Sequence, residues 1–488
     1  MPAPPKMPVF RHAAAAAGAA LLAACTVGPD FQRPAASTDQ AYAGEALGQL
    51  GGAGGQQLVS GANPAADWWT SFGSPELNRS VLQALAGNRS LAAAQANLAQ
   101  VREAVAAAGG ALYPQVSGSA GAGREKYGAQ FSGSQVFPPF TYFAVGPSVS
   151  YVLDYNGGQR RAIEQQQALA EAQAYQAQAA YLSVTGNVVQ QALNIAALRA
   201  QIAAVEQLLQ EDQKNVALTQ TAFETGTVSR IDLLSAQSQL ANDQTLLPPL
   251  RQQLSVARHA LAILAGRTPA AWAAPDFDLD RLKLPQQLPL SLPSELAHRR
   301  PDILAAEARV HAAVANVGVA TARLYPQLTL TASVSQQSTQ LSHLFEKSAN
   351  AWGLAAGLAG PIFDGGTLRA ERRGAEAAAK AALADYEQAL LNAFGQVADV
   401  LTALDHDAEQ LAAQQRALDT AAANLDLTRQ SYQAGNSGVL QVLDAERLHQ
   451  QARLGYVRAQ AQRYQDTAQL YLALGGAPLP ATASVAAR

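Results

Sequence analysis

The chain has 488 residues, of which 49% are hydrophobic and only 15% are charged, and its formal net charge is −3. It has no excess of Lys and Arg to neutralise phosphates, which argues against nucleic acid as a partner. The single cysteine excludes an internal disulfide, and the seven histidines lack metal-ligand spacing. Beyond the signal-like N-terminus we find no apolar run approaching the ~20 residues of a membrane-spanning helix, which argues against a membrane protein.

The N-terminus is typical of an exported lipoprotein. Residues 1–24 have the positive start and short apolar stretch of a secretory signal peptide. The Leu-Ala-Ala-Cys sequence that ends at Cys25 resembles the bacterial lipobox, in which the cysteine is acylated and becomes the new N-terminus. The alternative is a chance cysteine after an ordinary signal. We expect Cys25 to be the lipidation site and, because Thr26 and not Asp follows it, the outer membrane to be the destination.

The remaining chain contains an internal duplication, because three sequence motifs recur in the same order. They are the tetrapeptide Leu-Tyr-Pro-Gln at 112–115 and 324–327, a Gly-Gly turn at 157–158 and 365–366, and an aromatic residue three positions before a glycine at 223–226 and 432–435. The nearly constant offset predicts a duplicated unit of about 210 residues. The predicted segments are an N-terminal anchor at 25–75, a first repeat at 76–266, a connector at 267–293, a second repeat at 294–475 and a flexible tail at 476–488.

Each copy contains a strict seven-residue hydrophobic period, which runs from Tyr181 to Phe223 in the first and from Leu383 to Tyr432 in the second. This period predicts a helix that packs against others with a left-handed supercoil, whereas an ordinary amphipathic helix, the alternative, would drift off the heptad. Four further helices are expected, at about 76–111, 230–265, 294–323 and 440–474. The pair Pro248-Pro249 predicts a kink or break near Leu247.

Between the tetrapeptide and the Gly-Gly turn of each copy, the hydrophobic period changes from seven to two. This alternation predicts strands at about 142–155, 327–336 and 351–363. The Gly- and Ser-rich stretch 116–127 alternates only weakly and is the fourth expected strand. Strands that are apolar on one face and small or polar on the other are typical of membrane barrels; a soluble hairpin packed on the helices is the alternative. Four strands cannot close a barrel with a lumen, and lipid does not tolerate open edges. Two chains would give a filled eight-stranded barrel, whereas three would leave a lumen, which favours three chains.

Three motifs carry a resemblance to a known family: the segment 25–34, the Asp-Trp-Trp-x-x-Phe motif at 67–72 and the paired Leu-Tyr-Pro-Gln tetrapeptides. In them the chain resembles the outer-membrane factors (TolC/OprM-like), the NodT-type efflux lipoproteins of Gram-negative bacteria. The resemblance implies a mainly α fold with a membrane β-barrel part. It implies a homotrimer in which long coiled-coil-like helices form a periplasmic α-barrel and four strands per chain contribute to a twelve-stranded outer-membrane β-barrel.

The resemblance also implies a function: a passive exit duct of a tripartite efflux pump that exports drugs or other small molecules. The implied partners are a periplasmic adaptor, an inner-membrane pump of the resistance-nodulation-division type and outer-membrane lipid. The alternatives are the duct of a type I protein secretion system and a pore-less, lipid-anchored coiled-coil scaffold, although a scaffold needs no alternating strands. We expect no enzyme, cofactor or metal, since the sequence contains no nucleophile elbow, phosphate loop or HExxH motif.

By position in the family, the periplasmic gate and the adaptor-docking turns lie after each long helix. The resemblance assigns the gate or constriction to Arg230, Asp232, Tyr432, Gln441 and Asp444. It assigns adaptor docking to Gly226, Thr227, Gly435 and Asn436. Gln441 departs from the family because TolC has an acidic residue there, and Ser437 replaces a charged residue, which weakens the case for a strong acidic ring.

The residues themselves support these assignments only in part. Three Asp444 carboxylates around a threefold axis would favour cations. Alternatively, Asp444 and Asp232 are simply carboxylates placed favourably near a helix N-terminus. Tyr432 is equally suited to the heptad core, and the two turn glycines are equally explained by turn geometry.

Overall fold

A computed structural model of the chain describes residues 26–35, 41–42, 56–126 and 138–476. The predicted signal peptide, the lipidation site Cys25 and the tail from residue 477 onward lie outside the described residues. The chain divides into two compact units, here called the strand unit and the helical unit. The strand unit comprises Met1–Pro34, Leu98–Gln173 and Ala306–Tyr386, and the helical unit comprises Ala35–Asn97, Ala174–Ala305 and Glu387–Arg488.

The fold is mostly helical, and two very long helices dominate it. The helices are α1 (Pro75–Gly87), α2 (Arg89–Gly110), α3 (Gly158–Glu224), α4 (Arg230–Gln244), α5 (Leu247–Leu264), α6 (Pro301–Ala322), α7 (Thr367–Gln433) and α8 (Val439–Ala473). Helices α3 and α7 have 67 residues each, so at 1.5 Å per residue each is about 100 Å long.

The strands form two separate sheets. They are β1 (Gln57–Ser60), β2 (Gln115–Glu125), β3 (Phe140–Leu153), β4 (Gln287–Leu290), β5 (Gln327–Ser338) and β6 (Asn350–Ala359). In the helical unit, β1 pairs with β4 in parallel. In the strand unit, the other four strands form an antiparallel sheet in the order β2-β3-β5-β6.

The heptad predictions of two long helices are confirmed. Both helices end within one residue of the expected aromatic residue, α3 at Glu224 and α7 at Gln433. The middle of each hydrophobic stripe is fully buried, as at Ile195 and Val397, whereas Phe223 and Tyr432 near the ends are 37% and 39% exposed. A single chain therefore covers only part of each stripe.

The predicted break at Pro248-Pro249 is also confirmed. Helix α4 ends at Gln244 and α5 starts afresh at Leu247, so both prolines occupy the first turn of a new helix. In the first turn the amide that proline lacks would have no helical partner, so the break costs no hydrogen bond.

The predictions of single helices at 76–111 and 294–323 are wrong. Asn88 separates α1 from α2: its side chain accepts a bond from the Leu91 amide at 3.0 Å and donates to the Leu264 carbonyl at 2.9 Å. In the second copy, one helical turn at Pro293–Leu296 precedes α6, which starts at Pro301. A capping asparagine and a proline at the first helical position each begin a new helix.

Three other expectations need correction. Strand β6 ends at Ala359 instead of 363, because Pro361 has no amide to donate to a ladder. The parallel pair β1·β4 was not predicted in the N-terminal segment or the connector. Helix α6 is long and apolar enough to cross a membrane, contrary to the expectation that no such run exists, but 61% of its apolar window is buried within the chain, as in a core helix.

The Trp-Trp motif forms an aromatic core in the helical unit. Trp68, Trp69 and Phe72 are 0–3% exposed on a single 3₁₀ turn. The Trp68 ring stacks on Tyr471 of α8 with 5.1 Å between centroids, and Phe72 contacts Tyr464 at 6.3 Å. Such aromatic contacts join sequence-distant parts of the unit through a large buried area.

Candidate functional site

The antiparallel sheet has two chemically different faces. Because neighbouring residues of a strand point to opposite sides, the register of the four strands decides which side chains share a face. One face is apolar, and it carries Val116, Val145, Val149, Tyr151, Leu330, Val334, Trp352, Leu354 and Leu358. The opposite face is mostly polar or small, with Tyr142 and Val152 among the exceptions. Its small or polar residues are Ser117, Ser119, Ser148, Ser150, Thr329, Thr331, Ser333, Ala351, Gly353, Ala355 and Gly357. The sheet is therefore built to separate an apolar medium from a polar one.

The apolar face is uncovered along its edge strand. Trp352, Leu354 and Leu358 of β6 are 72%, 75% and 69% exposed. In the described residues, β2 and β6 each pair with a neighbour on one side only. A long, exposed and apolar edge strand is an aggregation hazard in water unless something covers it.

The polar face carries mainly small side chains. The Ser117 and Ser148 hydroxyl oxygens lie 2.9 Å apart across β2 and β3. At Gly146, an added Cβ atom would stand 2.1 Å from the Val334 carbonyl oxygen, so only glycine permits this approach of β3 to β5. These features suit a face in contact with water.

The two turns after the long helices have the same backbone geometry. Gly226 and Gly435 have φ values of +74° and +76°, a left-handed conformation that favours glycine. In each turn the amide after the glycine donates to the carbonyl five residues earlier, at 2.8 Å for Thr227 and 2.9 Å for Asn436. This pattern is the Schellman motif, which ends a helix by satisfying its last carbonyls.

Each turn is followed by an N-terminal cap on the next helix. The Asp232 carboxylate accepts the Ser229 amide at 2.9 Å, and the Ser229 hydroxyl accepts the Asp232 amide at 3.3 Å. At the equivalent position of the second copy, the Gln441 side chain accepts the Gly438 amide at 2.9 Å. Asp232 and Gln441, two of the five predicted gate residues, thus cap a helix, which supports the structural alternative for Asp232.

The structure brings the two turns together in the helical unit. They line one cleft of about 710 Å³, and five predicted site residues take part in its wall: Gly226, Thr227, Asp232, Tyr432 and Gln441. The other four, Arg230, Gly435, Asn436 and Asp444, do not line this cleft. Asp444 is an exposed side chain that forms an ion pair with Arg447 at 2.6 Å, so part of its charge is neutralised within its own helix.

Sequence reasoning missed a polar seam between α8 and α3 near this cleft. Glu446 is 3% exposed and accepts bonds from Asn215 of α3 and, at 2.7 Å, from Arg429 of α7. Further along the same two helices, Gln450 donates to Glu211 at 3.3 Å and Arg453 donates to Gln207 at 2.5 Å. No motif marks these residues, because their partners on α3 lie more than 200 positions away.

The motif at 26–34, which we call the strap, packs on helices of both repeats in the strand unit. Arg161 of α3 binds Asp30 at 2.5 Å, and Phe31 stacks on His311 of α6 with 4.4 Å between centroids. Burial opposes the ionisation of Glu164, but hydrogen bonds from Arg161 and His311 hold its pKa below the usual range. The residues directly after Cys25 are thus fixed to the fold by charge and stacking.

The described residues contain no group of three or more His, Cys, Asp or Glu that could hold a metal ion. The cleft at the turns offers backbone amides and neutral polar side chains, with Asp232 as its acidic member.

Comparisons with known proteins agree with this geometry. The model of the outer membrane efflux protein family matches residues 81–267 and 292–476, one match per repeat. Pyoverdine export outer membrane protein OpmQ of Pseudomonas aeruginosa is 33% identical over 427 residues, covering 86% of this chain and 90% of OpmQ. Cation efflux system protein CusC of Escherichia coli K12 is 30% identical over 462 residues, covering 93% of this chain and 97% of CusC. The structure of the outer-membrane channel OprN superimposes with a TM-score of 0.85 at 29% identity, covering 93% of this chain and 99% of OprN.

Proposed function

Because the chain belongs to the outer membrane efflux protein family, we propose that it is the outer-membrane exit duct of a tripartite efflux pump. The observation that carries this proposal is the two-faced sheet, whose exposed apolar side fits lipid and whose small, polar side fits a water-filled lumen. Transport through such a duct is passive, and the driving energy comes from the inner-membrane partner.

The duct requires several copies of the chain. Four strands with two open edges would leave backbone groups unpaired in lipid, which costs several kcal/mol for each group. Three copies supply twelve strands and enclose a lumen, whereas two copies supply eight and fill their interior with side chains. The incomplete burial of the heptad stripes at Phe223 and Tyr432 supports the same conclusion for the helices.

The helical turns are the proposed contact point for a periplasmic adaptor, and through it for a pump of the resistance-nodulation-division type. Gly226, Thr227, Gly435 and Asn436 are all exposed and share one rigid backbone geometry in both copies. A pair of identical turns offers an adaptor two equivalent docking positions on each chain.

The gate is proposed at the same end of the helices. Tyr432 and Gln441 lie in the wall of the cleft, while Arg230 and Asp444 are exposed beside it. Asp232 contributes as a helix cap. Copies of Asp444 around a threefold axis would form an acidic ring, although Arg447 weakens its field.

The strap supports the proposed lipid anchor at Cys25. Asp30 and Arg33 are held by ion pairs to Arg161 and Glu307, both at 2.5 Å, so the chain next to the cysteine has a fixed path. Acylation by two or more chains would then hold the protein stably in the outer membrane. The proposed cargo is a class of drugs or other small molecules.

The test uses two adjacent residues of β6 that lie on opposite faces. Leu354→Arg places a charge on the apolar face, where it costs ~2–4 kcal/mol near the middle of a bilayer. We expect this variant to be lost from outer-membrane fractions. Ala355→Arg places the same charge on the polar face, so we expect normal assembly and a lower preference for cations in planar bilayers.

The unsubstituted protein provides the reference in both assays. It should fractionate with the outer membrane and conduct ions after purification. Equal tolerance of the two arginines would contradict the lipid assignment of the apolar face. A protein that assembles in the membrane but never conducts would favour a scaffold over a duct.

A further inference from the structure

Two buried aspartates lie on the long helices, outside the sites described above. Asp212 of α3 is 3% exposed and Asp407 of α7 is 7% exposed. Among the described residues, the Oδ2 atom of each finds no hydrogen-bond partner. Each side chain lies within hydrogen-bonding reach of an aspartate on the helix that follows the turn, Asp243 of α4 or Asp466 of α8. Here a buried carboxylate oxygen lacks a hydrogen-bond donor and faces a second carboxylate. A proton shared between the two groups would supply the missing donor and remove the repulsion between two negative charges.

The two pairs occupy equivalent faces of the two helical hairpins. Shifted by the 209 residues that separate Gly226 from Gly435, the first pair falls at positions 421 and 452. Asp407 precedes the first of these positions by 14 residues, and Asp466 follows the second by 14. Fourteen residues are two heptads, so both pairs bridge their hairpin on the same side at different distances from the turn.

Within the part of the chain that the structure describes, neither aspartate of the first pair forms an ion pair with a basic side chain. Asp243 of α4, Glu446 of α8 and Glu211 of α3 all add negative charge near Asp212. The nearby cation Arg429 is engaged by Glu446 at 2.7 Å and Glu211 at 3.7 Å. Burial lowers the pKa of His449 of α8, which favours its neutral form. Burial and then Asp243 raise the pKa of Asp212 to about 7.

The second pair also has an aspartate with a raised pKa, although a basic residue, Arg463, lies beside it. Both charged groups that face Asp407 come from α8, namely Asp466 and Arg463. Arg463 is 1% exposed, and its Nε donates to Gln56 at 2.9 Å. Burial and then Asp466 raise the pKa of Asp407 to about 7, although Arg463 opposes the shift.

We propose that each helical hairpin is held closed by one proton shared across it, between Asp212 and Asp243 in the first and between Asp407 and Asp466 in the second, so that a rise in pH from acidic to neutral loosens both hairpins. In the closed form, the carboxylic acid of one aspartate donates to the carboxylate of the other. On loosening, that proton passes to water and two carboxylates repel each other. The inference concerns the helices alone and does not depend on the proposed export function.

The direction of the pH effect follows from the raised pKa values of Asp212 and Asp407. The closed hairpin keeps a proton that an opened, hydrated pair releases near pH 3.8, the ordinary pKa of an aspartate. The closed state therefore binds one more proton per pair between about pH 4 and pH 7, and each pH unit in that window favours opening by up to about tenfold. Above the raised pKa both states have lost the proton, and the dependence levels off.

Hydrogen exchange of the purified full-length protein, corrected for the intrinsic effect of pH, tests the proposal. Protection of α4 and α8 should fall by up to about tenfold per unit between pH 5 and pH 7, then level off. Asp212→Asn should flatten the profile of the first hairpin alone, and Asp407→Asn that of the second alone. Asp399→Asn, an exposed aspartate of α7, is the matched control and should change neither. A flat profile in the unsubstituted protein, or slopes that survive both substitutions, would overturn the proposal.

Infrared spectroscopy of the unsubstituted protein provides a test that needs no variant to fold. At pH 6 the protein should show the carbonyl band of protonated carboxylic acids, and the band should disappear by about pH 8. Each single asparagine variant should lose about half of it. Absence of the band at pH 6 would exclude the shared protons directly.

Discussion

At the first helical turn the acidic residue Asp232 caps a helix, whereas at the second turn Gln441 is the cap and the acidic residue Asp444 faces solvent. The backbone of the two turns is the same, with a left-handed glycine and equivalent hydrogen bonds. Deeper in the hairpins both copies hold a buried aspartate pair, but only the second hairpin, among the described residues, also holds the buried Glu446 bound to Arg429. The duplicated chain thus retains the turn geometry and varies the placement of charge.

The largest loss of stability is expected on breaking the buried ion pair of the second hairpin. Arg429→Met leaves the Glu446 carboxylate, 3% exposed, without its charged donor. We expect the free energy of unfolding to fall by about 2–3 kcal/mol, because a buried charged group loses a hydrogen bond. Urea denaturation followed by circular dichroism measures this loss.

The control for Arg429 is Arg447, which forms an exposed ion pair with Asp444 one helical turn away. Arg447→Met should cost less than about 0.5 kcal/mol, since exposed pairs contribute little. Similar losses in the two variants would show that burial of Glu446 has no energetic consequence.

The turn glycines should behave alike, which tests the shared geometry. Gly226→Ala and Gly435→Ala each force a side chain into the left-handed region, so each should destabilise by about 1–2 kcal/mol. Gly374 lies inside helix α7 with open space around it, so Gly374→Ala should instead stabilise by about 0.5–1 kcal/mol. Unequal losses at the two turns would contradict their equivalence.

Substitutions at the helix caps that follow the two turns should again affect stability differently, but by a smaller free energy. Ser229→Ala removes the hydroxyl that accepts the Asp232 amide, with an expected loss of about 1 kcal/mol. Gly438 has no side chain to lose, and Gly438→Ser should add only a few tenths of a kcal/mol. Thermal unfolding of both variants under the same conditions provides the comparison. A stabilising effect of Ser229→Ala would contradict the capping role.

The smallest effect on stability is expected at Asp444. Asp444→Asn breaks one exposed ion pair and should leave the free energy of unfolding within about 0.5 kcal/mol. In planar bilayers the same variant should lower the preference for cations, because three charges are removed from the proposed ring. Unchanged ion selectivity would defeat the ring at Asp444 and leave its pairing with Arg447 as its role.

The sequence predicts well those elements in which a hydrophobic repeat extends over many residues. Heptads over 42 and 49 residues predicted α3 and α7 to within a residue at their C-terminal ends. Two-residue alternation, weak only in β2, predicted the four strands of the antiparallel sheet. The strands β1 and β4 have four residues each, too few for alternation to stand out. The break at Asn88 depends on one side chain that binds the distant Leu264 carbonyl.

The site divides in the same way. Repeated motifs located the two turns, and five of the nine residues assigned to them line one cleft. Glu446 and the aspartate pairs have no local signal, because each depends on a partner brought near by helix packing. A buried carboxylate on a heptad helix looks the same in sequence as an exposed one.

The central claim, that the chain forms a duct only together with copies of itself, is tested most directly by counting chains. Native mass spectrometry of the protein extracted from outer membranes in mild detergent measures that number. The open edges of β2 and β6 lead us to expect the mass of three chains. A stable single chain, or a dimer that could build only eight strands, would contradict the account.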